Sequence, residues 1–224
     1  MTKVWYGYLG WVAAAALLGF AVSAFFAGIL RLPRSLFLIP YIGLASVFLY
    51  SYVSWSGISI SSLLRHHWYL GLIGAVLLAM FTVKNVLSQP ASARSAGFLL
   101  AFDLLWSGVF YGLADALLLS VLPVLATWQA FTLLNWTNNV PGKILVGVIA
   151  VIASLLVTVA YHFGYPEYRG GGLVGPSIGN TVMTLGYLLT NNPLAAIFSH
   201  IAMHIAGILH GPASVMQLPP HYMP

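Results

Sequence analysis

The chain has 224 residues, 60% hydrophobic and only 5% charged, with a mean hydropathy of +0.94 and a net charge of +5. A soluble domain carries about 25% charged residues because its surface must face water. So few charges exclude a water-soluble globule and predict an all-α, polytopic membrane protein. The eight basic residues, Lys3, Arg31, Arg34, Arg65, Lys84, Arg94, Lys143 and Arg169, sit at the edges of apolar runs or between them. That pattern flanks membrane spans and forms no patch for nucleic acid. The absence of cysteine removes disulfides and thiolate metal ligands.

Seven apolar runs follow in chain order, at 5–30, 36–55, 68–88, 97–122, 144–163, 175–192 and 194–211. Each is close to the roughly 20 residues that cross about 30 Å of hydrocarbon, so about seven transmembrane helices in one bundle are expected. The first run is too long for a signal-peptide core. It carries Trp5, Tyr6, Tyr8 and Trp11 where an interface takes aromatic rings, and reads as a retained helix. Arg31, Pro33 and Arg34 close it. Arg65, His66 and His67 precede the third run, and Pro90 to Ser95 follow it.

Pro123 predicts a bend after the fourth run, Trp128 to Phe131 an interfacial helix, and Asn135 to Gly142 a loop. Gly170 to Gly172 and Asn191-Asn192-Pro193 separate the last runs. With no long linker or repeat, residues 1–224 read as a single domain. An outside N-terminus puts five basic residues in cytoplasmic loops and three outside, which specifies orientation only weakly.

Ionisable groups within the runs are the candidates for chemistry, because a central Asp costs about 2.5–3.5 kcal/mol on insertion scales. Of three acids, Asp103 and Asp115 lie in the fourth run and Glu167 in the loop after the fifth. Asp103 and Asp115 stand about 18 Å apart along a helix and about 120° around it, so they cannot share a site. Asp103 is placed to pair with Arg94 or Lys84. Asp115 has no charged neighbour in sequence and needs a partner from another helix. His200 and His204, four residues apart, share one helix face. They either converge on a ligand or bond to neighbouring helices. His162, ending the fifth run, is a further candidate, whereas His66, His67, His210 and His221 read as interfacial or helix-end residues. Gly108 and Gly112 form a GxxxG that lets another helix approach one turn before Asp115.

Taken in order, these residues resemble the CPBP family of CAAX-protease and bacteriocin-processing intramembrane enzymes, over roughly 100–210. Ser154 to His162, followed by Phe163-Gly-Tyr, resembles the family's second motif, with Thr158 where phenylalanine is usual. Gly186 to His200 resembles the third, with His204 at the asparagine position. In the first motif, a paired-glutamate EExxxR, Ala114 and Asp115 stand where the two glutamates would, and Leu119 stands where the arginine would.

The resemblance implies an intramembrane protease or hydrolase, with Asp115, His162, His200 and His204 as its catalytic set. Asp115 would be general base or ligand, and the histidines oxyanion donors or ligands. Three imidazoles and one carboxylate would also suit zinc or another divalent metal. Loss of both glutamates leaves open a catalytically inactive scaffold or partner-binding subunit, and buried Asp and His leave open a proton-coupled transporter. The expected surroundings are the lipid bilayer of a bacterial or archaeal plasma membrane and a membrane-protein or peptide partner. One geometric tension stands. If 97–122 and 144–163 are straight antiparallel spans, Asp115 lies toward one face and His162 toward the other. They meet only if the fourth helix starts later and runs past Pro123, or breaks near Gly112.

Overall fold

The computed structural model describes residues 4–222, so Lys3 lies outside the described residues. Every regular element among the described residues is helical. Helix α1 covers Trp5–Ile29, α2 Arg34–Ser56, α3 the short turn Ile60–Arg65 and α4 Trp68–Leu87. Helix α5 covers Gly97–Leu133, α6 Val140–Gly164, α7 Val174–Thr190 and α8 Leu194–His210. Five of these, α1, α2, α4, α5 and α6, are long and apolar enough to cross a membrane. Helices α7 and α8 have 17 residues each.

Local chemistry sets those ends. Asn191 leaves α7 in the left-handed region at φ 51°, which asparagine tolerates better than most residues. Asn192, fully buried, caps two elements at once. Its Oδ1 accepts from the Leu194 N–H at 2.9 Å, and its Nδ2 donates to the carbonyls of Leu64 at 3.1 Å and His66 at 2.6 Å. Buried amides persist only when paired in this way. At the other end, Gly211 stops α8 at φ 151°, a backbone conformation that only glycine reaches without strain.

The largest departure from the sequence reading is α5. Pro123 does not end the helix and no separate interfacial helix forms at Trp128–Phe131; one helix of 37 residues runs through both. Proline cannot donate to the carbonyl four residues back, here that of Leu119. The helix is already widened to π geometry over Ala116–Val121, and the freed Leu119 carbonyl is met from other helices. Ser154 Oγ donates to it at 2.6 Å and Asn180 Nδ2 at 3.4 Å. An orphan acceptor in lipid would cost several kcal/mol. With that acceptor satisfied, the helix continues.

This length resolves the depth tension in favour of a helix that runs past Pro123. Asp115 sits at the midpoint of Gly97–Leu133, and α6 returns alongside with Ser154 level with Leu119. His162 then lies about one turn from the level of Asp115. Helix α8 closes against α5 through the predicted glycines. A Cβ on Gly112 would come within 2.8 Å of the Ile201 Cα, and one on Gly108 within 3.0 Å of the Ile205 side chain. Only residues without a side chain allow that approach.

Helices α7 and α8 form a hairpin laid along α4. Asn192 meets the chain before α4 at one end of α8, and His210 Nε2 donates to the Gln89 carbonyl at 2.8 Å at the other. After Gly211 the chain folds back beneath the bundle as turns, burying Val215, Leu218, Pro219 and Pro220.

Candidate functional site

Asp115 on α5, His162 on α6, and His200 and His204 on α8 line a single cavity of about 180 Å³. All four are buried, from 0% exposure at His204 to 8% at His162. None of the three histidines faces outward. The cavity has room for several water molecules and the polar groups to hold them. Its apolar wall comes from Phe81, Leu119, Ile178, Met183, Met203 and Met216.

The Asp115 carboxylate is held from two sides. Tyr41 on α2 donates its hydroxyl to Oδ1 at 2.6 Å, and His204 Nε2 lies 3.3 Å from Oδ2. The second contact is within ion-pair reach but lacks hydrogen-bond geometry. Among the described residues, neither ring nitrogen of His204 has a hydrogen-bond partner. The other two imidazoles are fixed by their own helices. His162 Nδ1 donates to the Thr158 carbonyl at 2.9 Å and His200 Nδ1 to the Ala196 carbonyl at 3.3 Å. Since a carbonyl can only accept, both rings carry their proton on Nδ1 and keep the Nε2 lone pair free when neutral.

Aromatic packing locks this frame. Tyr41 stacks on Tyr161 with centroids 5.1 Å apart, and Tyr111 meets the His204 ring edge-on at 4.6 Å. The Tyr161 hydroxyl stands 3.0 Å from that of Tyr111 and receives that of Tyr165 at 2.5 Å. Buried tyrosines need such partners. On the far side of Asp115, Ser120, Ser154, Asn180 and Thr184 form a second buried network. Ser120 Oγ donates to Asn180 Oδ1 at 2.7 Å, and Asn180 Nδ2 donates to Ser154 Oγ at 2.7 Å.

The sequence reading missed both groups. Tyr41 was hidden in a run that looked uniformly apolar. Its signal was spacing: Tyr41 and Tyr52, eleven residues apart, fall on one face of α2 and are both buried. Ser154, Asn180 and Thr184 are small polar residues of a kind common in spans, and only the Pro123 defect gives them a shared target.

Two further expectations need correction. Asp103 does not pair with Arg94 or Lys84: it accepts from Ser95 Oγ at 2.7 Å, while Arg94 donates to the Leu209 carbonyl at 3.4 Å. Ser95 lies in the connection just before α5 and reaches Asp103 locally, while Arg94 is turned toward the end of α8. The divalent-metal reading also lacks a matching donor set. Among the described residues, no three of His, Asp or Glu are placed to share one ion.

Outside the helices, burial pushes the Tyr168 hydroxyl upward, so it stays a donor. It donates to the Met216 carbonyl. Glu167, unassigned from sequence, accepts the His221 N–H at 2.7 Å. No family model matches this chain, and neither a curated protein nor a solved structure matches it.

Proposed function

We propose that the chain is an integral membrane hydrolase of CPBP type that cleaves an amide bond in this cavity, with Asp115 as general base. The observation that carries this reading is the Asp115–His204 contact opening on a cavity shared with His162 and His200. Seven crossings belong to the same reading: α7 and α8 would be about 25 Å long at 1.5 Å per residue, within the range of a short span, and both lie along α4. A plasma membrane of a bacterium or archaeon follows from the resemblance alone.

The tautomers suggest the division of labour. His162 and His200, with their N–H groups committed to helix carbonyls, both present lone pairs, and one of them accepts a hydrogen bond from a water molecule whose other proton is directed at Asp115. Asp115 Oδ2 takes a proton from that water as its oxygen adds to the carbonyl carbon. The carbonyl oxygen becomes an oxyanion, and His204, uncommitted at both nitrogens, supplies an N–H to it. Collapse breaks the carbon–nitrogen bond, and Asp115 returns its proton to the leaving amine. Tyr41 holds Oδ1 throughout, which fixes the orientation of Oδ2.

The test uses the purified chain in liposomes with membrane-spanning peptides in ¹⁸O water. The expected result is cleaved peptide carrying the label in its new carboxylate, reduced about 10²–10⁴-fold in Asp115→Asn, the range for loss of a general base. Undiminished cleavage by Asp115→Asn would overturn the assignment. A wild-type chain that cleaves nothing and copurifies with another membrane protein would make the cluster helix glue, and proton flux without cleavage would make it a relay.

A further inference from the structure

The segment Gly211–Tyr222 has no regular secondary structure, yet side chains from four separate regions reach its backbone. Arg34 Nη2 donates to the Pro212 carbonyl at 2.7 Å, and Ser92 Oγ accepts from the Ala213 N–H at 3.2 Å. Gln89 Oε1 accepts from the Met216 N–H at 2.9 Å, and Tyr168 donates to the Met216 carbonyl. Tyr111 donates to the Pro219 carbonyl at 3.3 Å, and Glu167 accepts from the His221 N–H at 2.7 Å. These contacts read main chain, so they hold a peptide in place whatever its side chains.

Two residues of the held segment, Met216 and Gln217, form part of the cavity wall with Asp115, His162 and the α8 histidines. Gln217 is tied across to α4, accepting from Gln89 Nε2 at 2.9 Å and donating to Asn85 Oδ1 at 3.3 Å. Asn85 lines the same cavity. At its other rim the cavity meets Phe81 on α4 and Ile178 on α7, both about half exposed and apolar. Its polar edge is therefore the edge that the tail covers.

We infer that the C-terminal tail is a strap seated in a backbone-reading groove, closing the polar mouth of the cavity and opening as a unit. The inference deepens the hydrolase reading by naming how water and a polypeptide segment would reach Asp115. Several features fit an opening device better than a permanent wall. The bonds of Gln89 and Ser92 to the tail, and that of Gln217 in the tail to Asn85, lie at the surface, where water competes for each partner. The glycine at the head of the tail, Gly211 at φ 151°, gives it a hinge. Val215 and Leu218, packed against Gly207, keep the closed state dominant.

The chain lacks cysteine, so one reporter thiol suffices. Met203→Cys on the cavity wall is labelled with a charged, membrane-impermeant thiosulfonate reagent, in the full-length chain in nanodiscs. Gln89→Ala with Tyr168→Phe removes three strap bonds, and labelling is expected to accelerate about tenfold, the effect of losing three weak hydrogen bonds. An unchanged rate in the folded double variant overturns the strap.

Amide exchange on the otherwise unmodified chain is independent of any folding defect in the variants. The Met216 and His221 N–H groups should exchange together and faster than those of α8. Protection equal to that of α8 makes the tail a fixed wall and overturns the inference. Both measurements read the mouth and not turnover, so they stand or fall apart from hydrolysis.

Discussion

Tyr41 is the residue whose loss separates position from chemistry. Its hydroxyl donates to a buried carboxylate at 2.6 Å, and hydrogen bonds to charged groups contribute about 1.5–3 kcal/mol in water-soluble proteins. Double-mutant cycles within a membrane average nearer 0.6 kcal/mol. Tyr41→Phe keeps the ring stacked on Tyr161, so a destabilisation of about 1 kcal/mol is expected between those bounds. Reversible unfolding in bicelles measures it, and a loss above about 3 kcal/mol would mean that the aromatic frame had failed with the hydroxyl.

His221 carries a second residue-level effect. Burial first, and the Arg34 guanidinium second, push its imidazole down to about 4. Arg34 Nη2 lies 3.4 Å from its Nδ1, and Glu167 faces it through the backbone N–H. The docked value lies below the free value of 6.5, so this contribution to tail docking is complete above pH 6.5. It is lost progressively as pH falls toward 4. Exchange of the tail amides, corrected for its intrinsic pH dependence, should therefore rise between pH 6.5 and 4. A flat profile over that window would show that His221 does not sense docking.

At the scale of the element, α5 shows what could be read from sequence and what could not. Gly108 and Gly112 announced a close helix partner, and the structure supplies Ile201 and Ile205 of α8. The pairing of Asp115 with another helix followed from its lack of charged neighbours in sequence. The end of the helix did not follow, because Pro123 looks like a terminator when only local hydrogen bonding is counted. Its missing donor is compensated by Ser154 and Asn180, which lie 31 and 57 residues further on. No local pattern contains that information.

Two substitutions test this compensation and the contact with α8. Ser154→Ala leaves the Leu119 carbonyl with the longer Asn180 bond and is expected to cost about 1–2 kcal/mol. Gly112→Ala drives a methyl group against backbone, which does not yield as a side chain would, at about 1–3 kcal/mol. Gly147→Ala, where an added Cβ meets nothing within 4 Å, is the matched control and should be neutral or slightly stabilising. Equal effects at Gly112 and Gly147 would remove the close approach from the argument.

For the whole molecule, the decisive question is whether the α7–α8 hairpin traverses the bilayer with α4. Five helices meet the length and hydropathy of spans. Five or seven crossings both leave the two termini on opposite sides, so locating the termini decides nothing. The turn Asn191–Pro193 does decide it. Asn192 is bonded to His66 at the start of α4, and His210 to Gln89 beyond its end, so α8 is matched end to end by a helix long enough to span. The four cavity residues come from α5, α6 and α8, and a hairpin outside the membrane would carry His200 and His204 away from the hydrocarbon that encloses the other two. Single cysteines at Asn191 and Gly171, probed with impermeant reagent from each side of sealed vesicles, should therefore label from opposite faces. The Asn191 cysteine should share its face with one at His67. Labelling of Asn191 and Gly171 from the same face would reduce the chain to five crossings and place the cavity at the membrane boundary.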